Sequence, residues 1–455
     1  MDCLLVHHWF DHESRKANLM WEGAFRSLAA GALVGAMLLS GAAVTRAHTN
    51  AALPFAGQTI TVAWAGPPPP KADLDRFTAQ TGAKIQWVNV GWDALQTKIT
   101  AAVQAHAYFA DVTDVDWSRV GQYYLLKWFV PLNKYFDLST LKDVPQLSSF
   151  IYNGQLVGMP ADSSFTVTTI NTAMLKKAGI TTLPATFAEY TTDLKQLQAK
   201  GVSAHPLDIP LQAAEGLSTY WYQVTAAMGG TMLDKAHKPL FTNPNSAGYK
   251  ALAWIVNAYK TGLVPKANIT MLDGQAQQGE MALGRVASVF SDYSGNVGSL
   301  YNIPGQSKVI NQVRYLPIPG VKGTAPNLGN PDGMGIPMTA RNVAAGAAFI
   351  KWFDDAHNQA LWSGLNGSKD VIVGFTLPMR LSSLEMLIKA NKIQQGDLLL
   401  SMLEHHAQAA FPTGIPPWYN QFSAAVNTNI HSAALGSESV QAAAQAIAQT
   451  VNSLQ

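Results

Sequence analysis

The sequence is almost without cysteine: Cys3 is the only one in 455 residues. That excludes a disulfide within the chain, and with it thiolate zinc sites and Fe–S clusters. Stability has to come from packing, which a chain of this length supplies. Charge is also scarce. Charged residues make up 13%, about half of the roughly 25% in an ordinary soluble domain. Lys and Arg, 31 together, nearly cancel 29 Asp and Glu, leaving a formal net charge of +2. A near-neutral chain without a basic cluster lacks the electrostatic footprint of a nucleic-acid binder.

Motifs for chemistry are missing as well. There is no G-x-x-x-x-G-K followed by Ser or Thr, no H-E-x-x-H and no G-x-S-x-G, so phosphate loops, zincin helices and nucleophile elbows are not indicated. Asp111, Asp114 and Asp116 lack the Gly and terminal Glu of a calcium loop. Glu404-His405-His406 reads as a solvated helix, because adjacent side chains point to different faces. We expect no metal, no cofactor and no reaction.

What the sequence has is aromatic surface: 12 Trp, 14 Tyr and 17 Phe, enough to exclude a disordered chain. It also has one long apolar run, Leu28 to Val44, preceded by Arg26 and closed by small residues. The run is short and Gly/Ala-rich for a span of about 20 residues. Residues 1–47 are therefore expected to be a cleaved export signal, with the start at Met1 or Met20 and the mature protein in the periplasm.

Beyond the signal, β-branched strands alternate with amphipathic helices. Gln58 to Trp64 reads as a strand stopped by Pro67 to Pro70, which cannot continue a ladder. Asp73 to Thr81 is a helix ended by Gly82, Lys84 to Val90 a strand, Trp92 to Ala107 a helix and Asp111 to Val115 a strand. This is the spacing of βαβ units and of a mostly parallel sheet. The pattern restarts after Pro160. Thr166 to Asn171 and Arg285 to Phe290 read as strands; Thr186 to Lys200, Tyr220 to Met228 and Asn245 to Thr261 read as helices, as does Ala344 to Trp362. Two α/β lobes follow.

Several blocks in order resemble the extracellular solute-binding proteins of ABC importers, the maltose-binding-like sugar family. They are Phe77 to Ile85, Ala110-Asp111-Val112 with Trp128 to Leu132, Tyr152 to Pro160 running on through Thr169-Ile170-Asn171, Lys177 to Ile180 and Pro184 to Glu189, and Gly279 to Leu283. The resemblance implies the type II periplasmic binding fold, two doubly wound lobes joined by a multi-crossing hinge. Its lobes would be 48–161 with 292–376, and 162–291 with 377–455, crossing near Pro160-Ala161-Asp162, Ser291-Asp292-Tyr293 and Thr376-Leu377-Pro378. It also implies a monomer that hands a small solute, a carbohydrate, to the transmembrane subunits of a permease. Such a clamp shifts its open–closed balance because ligand touches both lobes only when closed.

A sugar offers hydroxyls at its rim and a C–H face. It is held by carboxylates, amides and flat aromatic rings at the carboxyl ends of strands. Trp64, Trp92, Asp116 and Trp117 follow the first three strands; for each Trp the competing role is packing. Asp162, Ser163, Asp292 and Tyr293 fall at the implied crossings, where the competing role is helix capping. In the second lobe Trp221, Tyr222 and Trp418 are stacking candidates, by similarity to maltose-like members. Asp332-Gly333 is a loop whose backbone can approach a ligand closely, and Arg380 a cation that either reaches the cleft or is solvated. The rival solutes are a polyol, a glycerol phosphodiester or a peptide-like compound. The rival classes are a sensor subunit and an exported polysaccharide-active enzyme, for which Asp116 with Asp162 or Asp292 would supply the paired carboxylates.

Overall fold

The computed structural model describes residues 53–272, 275–368, 377–411 and 414–455. The expected signal, its apolar run and Thr376 of the third implied crossing lie outside the described residues.

Two sheets carry the architecture. The first has the order Lys84–Asn89, Thr59–Trp64, Val112–Asp116, Asp332–Gly335, Met159–Pro160. Its first three strands are parallel, while Asp332–Gly335 runs antiparallel to both of its neighbours. The second sheet has the order Val313–Leu316, Thr166–Asn171, Ser288–Tyr293, Leu207–Asp208. Here only the last pair is parallel. Strands made wholly of buried residues, such as Val112–Asp116 and Thr166–Asn171, are covered on both faces, as strands of α/β layers are.

Local chemistry sets the helix boundaries. Lys71–Thr81 ends on Gly82 at φ 80°, where the added Cβ of any other residue would lie 2.8 Å from the Ala56 Cα. Phe187–Ala199 begins with a capping box: Thr186 Oγ1 accepts from the Glu189 amide, and Glu189 accepts from the Thr186 amide, satisfying two otherwise orphaned donors. Ser439 caps Val440–Leu454 from one side only, its hydroxyl accepting from the Ala442 amide.

One expected helix is two. The apolar period of Ala344 to Trp362 is interrupted between Val343–Phe353 and Ala356–Trp362. There the Asp355 carboxylate accepts from the His357 and Asn358 amides and starts a new helix.

The crossings also differ from expectation at one place. After Tyr293 the chain stays with the second sheet, because Val313–Leu316 pairs with Thr166–Asn171; it does not return at 292. The return lies at Asn330, alongside the outgoing crossing. The Asn330 amide donates to the Ser164 carbonyl at 3.1 Å, the Ala161 amide to the Asp332 carbonyl at 2.8 Å, and the Ser163 amide to the Leu377 carbonyl at 3.1 Å. Three chain segments thus run side by side between the sheets.

The helices Tyr419–Leu435 and Val440–Leu454 pack on Glu215–Ala227 and Ala247–Lys260 of the second lobe. The ring of Tyr222 lies parallel to that of Phe422 at 5.9 Å. Helix Val343–Phe353 covers the first sheet, its Phe349 edge-on to Phe77 at 5.5 Å.

Candidate functional site

Carboxyl ends of strands from both sheets converge on a cavity of about 470 Å³. The first lobe supplies the turn Ala65-Gly66-Pro67 after its first strand, Asn89, Gly91, Trp92 and Asp93 from the end of its second, and Asp116-Trp117 from the end of its third. The second lobe supplies Glu215, Gly216 and Thr219 from the first turns of a helix, Leu272 and Gln278, and Tyr293 at the end of its strand. Ser164, Asn330 and Asp332 belong to the crossings and complete the wall.

The alternation of a strand explains why acids collect here. Asp114 and Asp116 lie two apart on Val112–Asp116 and so share one face. Asp332 is the register partner of Asp116 on the neighbouring strand. Asp116 accepts from the Ser118 amide at 2.8 Å and from the Ser118 hydroxyl. The Trp92 Nε1 donates to Asp332 Oδ1 at 3.4 Å. Burial is the main cause that raises all three carboxyls: Asp114 and Asp332 lie well above the ordinary value and Asp116 above it. The neighbouring acids push Asp114 and Asp332 further up, while Arg119 opposes at Asp116.

Opposite them, the half-buried Glu215 accepts from the Ser423 hydroxyl at 2.6 Å and from the Tyr419 hydroxyl. Desolvation raises its carboxyl as well.

A smaller cavity of about 110 Å³ adjoins the first and shares Ala65, Gly66, Pro67 and Asp332 with it. Its walls are aromatic, made by Trp64, Trp87, Phe353 and Trp362. Trp87 is oriented by donating its Nε1–H to the Gly66 carbonyl at 2.9 Å. Asp162 lines this side, and its Oδ1 accepts from the Ser164 amide at 3.0 Å and the Asp332 amide at 3.3 Å.

Of the residues singled out in the sequence, Trp92, Asp116, Trp117, Tyr293 and Asp332 meet in the larger cavity, and Trp64 and Asp162 in the smaller. Trp117 is also a packing residue, 3% exposed, with its ring against Phe411 and Tyr419. The others are elsewhere. Ser163 is buried in the hinge, its hydroxyl donating to the Pro378 carbonyl at 2.7 Å. Trp221 and Tyr222 are fully buried in the second-lobe core, with Trp221 Nε1 donating to the Gly248 carbonyl at 2.9 Å.

Asp292 is locked inside the second lobe by Thr169 and Asn296 at 2.5 Å each, Tyr301 at 2.7 Å and the Tyr293 amide at 2.8 Å. It therefore cannot serve as a crossing carboxylate. Gly333 is a strand residue: a Cβ there would lie 2.3 Å from the Phe150 ring. Arg380 is neither solvated nor in the cleft, since it pairs with Asp143 at 2.6 Å and Asp354 at 2.7 Å. Trp418 packs edge-on against His237 and Phe422, outside both cavities.

Sequence reasoning missed Glu215, Asn89, Asp93, Trp87 and Trp362. Asn89 follows the same strand-end rule as Asp116 and was within its reach. Glu215 was hidden because the helix was expected to begin at Tyr220, whereas it begins five residues earlier, at Glu215.

Two α/β lobes linked by side-by-side crossings, with adjoining cavities at facing strand ends, define a hinged binding protein of the type II periplasmic class. The chain belongs to the family of bacterial extracellular solute-binding proteins, whose model matches residues 63–360. It is 26% identical over 321 residues to the diacetylchitobiose binding protein DasA of Streptomyces coelicolor, covering 64% of this chain and 67% of that one. Its fold matches an ABC transporter solute-binding protein of Agrobacterium radiobacter in complex with ribitol, with a TM-score of 0.76 at 20% identity over 88% of this chain and 100% of that one. It also matches maltose-bound MalE3 of T. maritima, with a TM-score of 0.73 at 17% identity over 87% of this chain and 100% of that one.

Proposed function

We propose that the protein is the exported solute-capturing component of an ABC importer, binding a sugar or polyol between its lobes and delivering it unaltered to a membrane permease. The observation that carries this reading is the cavity itself. It joins indole surface from Trp92 and Trp117 to carboxylates at the strand ends of one lobe and to Glu215 of the other. Rings of that kind suit the C–H face of a sugar and carboxylates accept from its hydroxyls. The relatives named for diacetylchitobiose, ribitol and maltose support the same class.

On this reading the ligand residues are Trp92, Asp116, Trp117, Glu215, Tyr293 and Asp332, with Trp64 and Asp162 serving an extended ligand. Residues 1–47 are the export signal, the mature protein is a periplasmic monomer, and closure about the hinge presents both lobes to the permease.

A thermal-shift screen of the purified protein against mono- and oligosaccharides, polyols, amino acids and phosphodiesters tests it. A ligand at 100 times its Kd adds about 2.7 kcal/mol of stability. A selective hit among sugars or polyols, with the compound recovered intact, is the expected result. Hits confined to other solutes, or turnover of a glycan, overturn it.

A further inference from the structure

The charge of the cavity is one-sided. Asp93, Asp116, Glu215 and Asp332 line it, and no Lys, Arg or His does so among the described residues. Two more acids stand close by. Asp162 accepts from the Asp332 amide, and Asp114 lies on the same strand face as Asp116. Asp114 is fully buried, and its Oδ1 has no hydrogen-bond partner although its Oδ2 accepts from Gln96.

Arg119 is the one cation among the principal electrostatic neighbours of Asp93, Asp114, Asp116 and Glu215. It stands 5.7 Å over the Trp92 ring and is not part of the lining. Among the described residues, then, one guanidinium faces four carboxyls drawn from one strand and the starts of two helices, with Asp332 on the neighbouring strand beside them.

Like charges directly opposite on a ladder destabilise a sheet, and a buried carboxylate without a countercharge is costly. Asp116 and Asp332 occupy such opposed positions. A neutral ligand that expels water from the cavity deepens that cost, whereas a ligand ammonium supplies the missing countercharge through charge-assisted hydrogen bonds. We infer that the solute carries a protonated amine, as an amino sugar or its oligomers do, and that Asp332, Asp116 and Glu215 receive it. This deepens the reading of the site as a sugar cavity and rests on it.

The test compares glucosamine oligomers with their N-acetylated counterparts, which share the ring and linkage but lack the charge, by titration calorimetry of the purified protein near neutral pH. The free-amine series binds about tenfold or more tightly, and the difference shrinks on going from about 20 to about 200 mM salt. Asp332→Asn keeps the side-chain shape and abolishes the preference, with melting curves confirming that the variant is folded. Glu215→Gln is the second variant, should the first disturb the crossing.

Equal or tighter binding of the N-acetylated series overturns the amine and leaves the sugar reading standing. Binding of spermidine with no response to any sugar upholds the charge and overturns the sugar. Silence from every amine probe overturns the inference.

Discussion

Asp116 and Asp332 are register partners on adjacent antiparallel strands, one ending the third strand of the first sheet and the other beginning the strand that returns from the second. Burial raises both carboxyls, and repulsion from Asp114, Asp116 and Asp162 raises Asp332 further. The two opposed acids thus stand in the cavity where the two lobes meet.

Asp332→Asn removes this repulsion without changing shape. The melting temperature is expected to hold or rise, while affinity for the ligand falls at least about tenfold, since an acceptor lining the cavity becomes partly a donor. Melting curves and titration of the same preparation check both halves. A variant that loses stability and keeps affinity would place Asp332 in the scaffold alone.

Trp92 and Trp117 separate binding from packing. Trp92 is partly buried at a helix start, so Trp92→Ala is expected to cost about 1–3 kcal/mol of affinity with little loss of stability. Trp117 is packed on Phe411 and Tyr419, and Trp117→Ala should cost about 3–5 kcal/mol of stability. Denaturant midpoints measured beside Kd values distinguish the two.

Asp292 makes folding stability depend on pH. Burial raises its carboxyl to about 6 against the four groups donating to it. The native state thus binds more protons than the unfolded chain between the ordinary value and 6, so stability falls as pH rises through that window. The group alone accounts for about 3 kcal/mol between roughly pH 4 and neutral pH. Asp292→Asn should flatten this slope in denaturant titrations at a series of pH values. Asp114, Asp116 and Asp332 are raised too, so the slope keeps its sign in the variant and loses part of its size.

Arg380 ties the third crossing to the first lobe. Its guanidinium pairs with Asp143 and with the buried Asp354. Arg380→Ala leaves Asp354 without its countercharge, at an expected cost of about 3 kcal/mol. The cavity lies elsewhere, so ligand affinity, measured where the variant is fully folded, should change by less than about threefold.

Local rules carried much of the way from sequence to site. Trp92, Asp116 and Trp117 were reachable because a parallel strand in an α/β layer delivers its carboxyl end to the ligand side, and period-2 alternation can be counted along the chain. Thr186 and Ser439 start helices, and Gly82 ends one, by interactions within four residues. Such elements depend on neighbours in sequence, and those are visible.

Other features depend on partners remote in the chain. Trp221 and Tyr222 looked like a stacking pair, yet their helix is wrapped by Phe241, Phe411 and Phe422, and an aromatic run reads the same whether it faces a ligand or a core. Glu215 owes its place in the cavity to Tyr419 and Ser423, and Arg380 its neutralisation to Asp143 and Asp354.

By itself, then, the sequence determined the two-lobed α/β class and the strand ends that approach the solute, because periodicity, caps and block order are local. Only the tertiary structure decided which acids stand together and which aromatics are core. Long-range pairing and burial arise when distant segments pack, and they set both the charge of the cavity and the cost of leaving it unpaired.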